Sequence, residues 1–129
     1  MQGQEGLDQL LKNDPFVIGG KTLYSRFFIG TGRFPNPYVQ VEAIKTSGAE
    51  VLTFAIRRVN LERPNEDAIL QHLEGMSFTY LPNTSGAKTA EEAIRIARLA
   101  RASGLSNWIK VEITRDEKTL LPDPVETLK

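Results

Sequence analysis

Four short apolar runs open near Phe27, Val51, Phe78 and Trp108, and segments with helix-start signals separate them. This alternation constrains the fold more than any other feature of the chain. Strands that alternate with helices call for right-handed crossovers and a parallel sheet. The run starts are spaced 24, 27 and 30 residues apart, the pace of a (β/α) barrel or a doubly wound sheet.

Each unit carries its own punctuation. Phe27-Phe28-Ile29 ends at Gly30-Thr31-Gly32, and Asn36-Pro37 then supplies N-cap and first-turn proline for a helix bearing Val39, Val41 and Ile44, stopped by Gly48. Val51 to Ile56 is the second run, and Asn65 opens a periodic segment with Ala68, Ile69, Leu70 and Leu73 up to Gly75. Phe78 to Leu81 is the third. Thr89-Ala90-Glu91-Glu92 reads as a capping box before a helix whose Ala93, Ile94, Ala97 and Ala100 form one core-facing stripe, with Gly104 past its end. Trp108 to Ile113 makes a fourth strand, and Asp123-Pro124-Val125-Glu126 starts a fourth helix.

Ahead of these units, Phe16–Ile18 and Lys21–Leu23 flank Gly19-Gly20, a hairpin signal. Residues 1–14 form a leader in which Leu7, Leu10 and Leu11 sit at helical spacing while Gly3 and Gly6 weaken it, so a short amphipathic turn and a disordered segment stand level. The last helix has six residues from Pro124 to Lys129, against about 11–12 in a mean helix. Residues 15–129 therefore read as the N-terminal half of a (β/α)₈ barrel, eight units at this pace needing roughly 220 residues plus the leader. A small complete α/β domain with a short last helix is the alternative. A half-barrel leaves two strand edges and one sheet face open, so association into a homo-oligomer is expected.

Composition removes whole classes of function. Sixteen Lys and Arg balance sixteen Asp and Glu, which gives no electrostatic reason to expect nucleic acid or an anionic membrane as partner. The absence of cysteine excludes disulfides, thiolate metal sites and a thiol nucleophile, and the lone His72 cannot build a histidine cluster. No metal or cofactor is expected. The first fifteen residues lack the apolar run of a signal peptide, and a cytoplasmic location is the expectation.

In Trp108-Ile109-Lys110-Val111-Glu112-Ile113 successive side chains alternate faces, so Ile109, Val111 and Ile113 turn toward the helices while Lys110 and Glu112 share the barrel interior. A partly desolvated lysine has its ammonium form disfavoured, and its free amine can attack a carbonyl carbon to form a Schiff base. Glu112, two residues on and on the same face, can move protons. On spacing alone, that chemistry and a solvated or merely structural Lys–Glu pair stand equal. Arg57-Arg58 close the second strand and can meet an anionic substrate at the mouth, or form an exposed loop pair. Asn83 and Thr84, within Leu81-Pro82-Asn83-Thr84-Ser85-Gly86, suit a substrate oxygen, and turn chemistry explains them equally. Gly30-Thr31-Gly32 holds two glycines of a phosphate-cradling pattern and reads better as a tight strand-to-helix turn. His72 and Lys88 read as surface residues.

At these motifs the chain resembles the thiazole synthases of the thiamin pathway. The resemblance rests on Phe-Ile-Gly-Thr-Gly-Arg-Phe (28–34), Ile-Arg-Arg-Val-Asn (56–60), Leu-Pro-Asn-Thr-Ser-Gly (81–86), Thr-Ala-Glu-Glu-Ala (89–93), Asn-Trp-Ile-Lys-Val-Glu (107–112) and the closing run 119–129. It extends over residues 16–129 and matches the family's first half. It implies a (β/α)₈ barrel acting on 1-deoxy-D-xylulose 5-phosphate, dehydroglycine and the thiocarboxylate of a small ubiquitin-like sulfur carrier protein, and it needs no cofactor. It further implies that Lys110 forms the imine with the ketose, that Glu112 is the acid/base, and that a second carboxylate and the phosphate loops lie on strands beyond this sequence. The chain alone is then expected to be inactive. A Schiff-base aldolase or lyase of the same architecture, or a non-enzymatic half-domain acting by association, are the alternatives.

Overall fold

The computed structural model describes residues 2–63, 70–73 and 75–129. A leading helix α1 (Gln2–Asn13) is followed by an antiparallel hairpin of β1 (Phe16–Ile18) and β2 (Lys21–Leu23). Ile18 pairs with Lys21, leaving Gly19 (φ 56°) and Gly20 (φ 77°) as a two-residue turn that needs positive φ twice. The hairpin is tied to the sheet by Glu50, whose Oε2 accepts from the backbone N–H groups of Tyr24 (2.6 Å) and Ser25 (2.7 Å). Phe16 stacks on Phe28 with ring centroids 6.5 Å apart.

The main sheet is parallel, in the order β3 (Phe28–Gly30), β4 (Val51–Ala55), β5 (Thr79–Asn83). Central β4 reads as a continuous apolar run: Leu52 and Phe54 are buried on one face, and Val51 is buried at the start of the other. Leu52 packs with Ile29, with Ile44 of α2 (Pro37–Ser47) and with Leu73. Phe54 packs with Ile56 and with Ala100 of α3 (Ala90–Ala102). Ile29, Leu52, Phe54 and Tyr80 thus share the helix-covered face, and alternation turns Gly30, Thr53, Ala55 and Asn83 to the other.

Helix boundaries follow the local chemistry. The Asn36 side chain accepts from Val39 N–H at 3.0 Å, Pro37 occupies the first turn, and Gly48 closes α2 at φ 64°. Thr89 caps α3 by accepting from Glu92 N–H, but the Glu92 carboxylate reaches back to Lys88 N–H, one residue earlier than a standard capping box. The stripe expected on α3 is corrected at one position. Ala93, Ile96 and Ala100 pack inward, whereas Ile94 is 47% exposed, because it lies a further 100° around the helix from Ala93.

The second unit shows a single helical turn at Gln71–Leu73 with Leu73 in the core; Ala68, Ile69 and the start at Asn65 lie outside the described residues. The fourth strand is reduced to a single parallel bridge, Asn83 to Lys110. α4 (Pro124–Leu128) starts at the expected Asp123 cap, which accepts from Glu126 N–H at 3.0 Å. No helix among the described residues is long and apolar enough to cross a membrane.

Two consequences are measurable. A methyl group at Gly19 would lie 2.9 Å from the Trp108 indole, whereas one at Gly20 meets nothing within 4 Å. Both glycines have positive φ, so Gly20→Ala is expected to cost about 1–3 kcal/mol in backbone strain. Gly19→Ala is expected to cost more, with both read by denaturant titration. Buried Glu126 accepts the N–H of Ala90 at the start of α3, and this bond first, then Lys129 and Arg115, holds its carboxyl below the usual carboxylate range. A depressed folded-state value means that this contribution is complete above the unfolded-state value of about 4.3 and is lost as pH falls through the lower, folded one. The Ala90 amide resonance should titrate with a midpoint below that of an ordinary glutamate, and Glu126→Gln should remove the transition.

Candidate active site

Parallel strands deliver their loops to one edge, and in open α/β sheets ligands collect outside the carboxyl ends of the strands. Here β3 ends into Thr31-Gly32, β4 into the single turn Ile56–Arg58, and β5 into Thr84–Gly86. The fourth segment joins them because Ser106 Oγ donates to Tyr80 O at 2.6 Å, which brings the chain back beside β5. Lys110 N–H then donates to Pro82 O (2.8 Å) and Thr84 N–H donates to Lys110 O (3.2 Å). Those two bonds set Lys110 next to Asn83, so Ala55, Asn83 and Lys110 form a row across the face opposite the helices.

Lys110 Nζ lies 3.1 Å from Glu112 Oε1, as the alternation of faces requires. The side chains are 47% and 38% exposed, so the described strands leave the lysine partly desolvated. Its neighbours across the row, Ala55 and Asn83, are too short to cover it. An ion pair this open contributes at most about 1 kcal/mol. The fold does not depend on it, and both groups are reachable from solvent. Ile113 is buried and Ile109 packs near Phe54, as expected, but Val111 is 49% exposed, because α3 packs against its two neighbours and not against it.

The remaining candidates divide. Arg57 Nη2 donates to Ser85 Oγ at 3.4 Å, and its side chain lies over Gly86, where any Cβ would be 3.1 Å from Arg57 Cδ. Arg58 leans the other way, toward Gly32. Both guanidinium groups therefore stand at the carboxyl edge of the sheet. Asn83 is nearly buried, and its Oδ1 accepts from Ser85 N–H (3.1 Å), the turn chemistry that the sequence offered as an alternative. Thr84 does not present its hydroxyl to the mouth: the residue is fully buried, and Oγ1 both accepts from Glu112 N–H (2.8 Å) and donates to Glu112 O (2.7 Å). Threonine in a turn-forming run gave no signal of that pairing, which joins residues 28 apart.

Gly30-Thr31-Gly32 is a tight turn. Thr31 N–H, the donor a phosphate would need, is taken by Thr53 O, and the Thr31 carbonyl accepts from the buried Gln40 side chain at 2.8 Å. His72 packs edge-on against Tyr38 and Lys88 pairs with Glu117, both outside the row. No group of metal-binding side chains occurs among the described residues.

Comparison with known proteins gives one family. The family model described as thiazole biosynthesis protein ThiG matches residues 17–129. A thiazole synthase of Shouchella clausii is 81% identical over 92% of this chain and 45% of its own length. One of Halalkalibacterium halodurans is 78% identical over 92% of the chain and 46% of its own. Thiazole synthase 2 of Syntrophotalea carbinolica is 49% identical over 90% and 45%. The chain spans less than half the length of these relatives.

Proposed function

The chain belongs to the ThiG family of thiazole biosynthesis proteins, and on that premise we propose that it is the N-terminal half of a thiazole synthase. In this reading the parallel sheet is the first part of a (β/α)₈ barrel, with its site at the carboxyl face. The enzyme is a sulfur-incorporating transferase that joins 1-deoxy-D-xylulose 5-phosphate, dehydroglycine and the sulfur of a carrier-protein thiocarboxylate into a thiazole phosphate. The observation that carries the proposal is the Lys110–Glu112 pair, 3.1 Å apart and accessible at the strand-end edge.

The geometry fits amine catalysis. The Lys110 amine, once its ammonium has lost a proton to solvent, attacks the ketose carbonyl carbon with its lone pair. The carbonyl oxygen takes one proton from the amine and one from solvent and leaves as water, which gives the protonated imine. The imine draws electrons from the adjacent carbon, whose proton the Glu112 carboxylate can remove to give the enamine. Asn83, beside Lys110 in the row, and Arg57 at the edge are the groups proposed to hold substrate oxygens.

Borohydride treatment of the full-length enzyme with the ketose phosphate is expected to leave one reduced adduct, on Lys110, that Lys110→Ala abolishes. Adducts on Lys88 or Lys118 contradict the assignment. Glu112→Gln is expected to keep the adduct while lowering turnover by ~10²–10⁴; unchanged turnover would reduce Glu112 to a structural partner.

A further inference from the structure

The ladder that holds Lys110 changes character two residues later. A regular parallel ladder that pairs Lys110 N–H with Pro82 O and Thr84 N–H with Lys110 O would continue with Glu112 N–H on Thr84 O. That carbonyl is taken: it accepts from Ala87 N–H at 3.0 Å, because β5 bends out of the sheet at the turn closed by Asn83 Oδ1 on Ser85 N–H. Glu112 would then lack both backbone partners. A single side-chain atom supplies them. Thr84 Oγ1 accepts from Glu112 N–H and donates to Glu112 O, in two short bonds with no exposed surface on the residue.

We propose that Thr84 is a positioning residue whose buried hydroxyl replaces the missing ladder bonds and sets the Glu112 carboxylate against Lys110. This deepens the amine-catalysis reading and rests on it. Backbone bonds fix Lys110 without help from Thr84 side-chain atoms, so the nucleophile and the acid/base are anchored separately. With the hydroxyl gone, Glu112 loses both anchors while Lys110 keeps its own. Displacing a reacting group by about 1 Å can cost ~10²-fold. The loss should therefore fall on proton transfer and spare imine formation.

The test separates those two steps in the full-length enzyme, using borohydride trapping on Lys110 and deuterium exchange from solvent into the carbon next to the ketose carbonyl. Thr84→Val keeps the shape and removes the hydroxyl. It is expected to trap within about threefold of the unsubstituted enzyme and to exchange ~10²-fold more slowly. Thr84→Ser is expected to restore exchange to within a few fold. Should the valine variant fail to fold, Thr84→Cys takes its place, with a loss of at least about tenfold expected from its weaker donor and acceptor. Normal exchange in the hydroxyl-free variant, or a serine variant as slow as it is, overturns the positioning role. Absence of any Lys110 adduct in the unsubstituted enzyme overturns the functional reading instead, and the positioning role falls with it.

Discussion

The parallel register of β4 between β3 and β5 is the constraint on which the rest depends. Pairing Leu52 with Ile29 and with Tyr80 aligns the strands so that Gly30, Ala55 and Asn83 end at one edge. Register in a sheet with one face buried is strongly specified, since a slip of one residue would turn Leu52 and Phe54 away from α2 and α3. The same register that buries the core therefore decides which side chains reach the mouth. Lys110 inherits its place through one bridge to Asn83.

Stability and chemistry are divided between the two faces. The helix-covered face carries the apolar clusters around Leu52 and Phe54, while the opposite face carries Thr53, Ala55, Asn83 and Lys110. Structural carboxylate work is done elsewhere: buried Glu126 satisfies the first N–H of α3, and Glu50 fastens the hairpin. Lys110 and Glu112 have no such structural duty. Their half-exposed pairing is too weak to repay holding two long side chains together for stability alone.

Much of this was legible in the residues. The Asn36-Pro37, Thr89 and Asp123-Pro124 starts each became a helix, because a cap is a local interaction between neighbours in sequence. The shared face of Lys110 and Glu112 followed from strand alternation, and the parallel sheet from the repeat of apolar runs. What was not legible required distant partners. The fourth strand shrank to one bridge because β5 bends at Thr84, and nothing in Trp108–Ile113 announces that bend. Thr84 itself looked like a substrate ligand because its real partner, Glu112, lies 28 residues away.

The central claim is that the sheet edge presents Lys110 as a nucleophile with Glu112 as its proton partner. A crystal structure of the full-length enzyme, trapped by borohydride with the ketose phosphate, tests it most directly. The account predicts continuous density from Lys110 Nζ to the former carbonyl carbon, with a Glu112 carboxylate oxygen within hydrogen-bond reach of that carbon's substituents. Density on another lysine, or a Glu112 side chain turned away from the adduct, would contradict it.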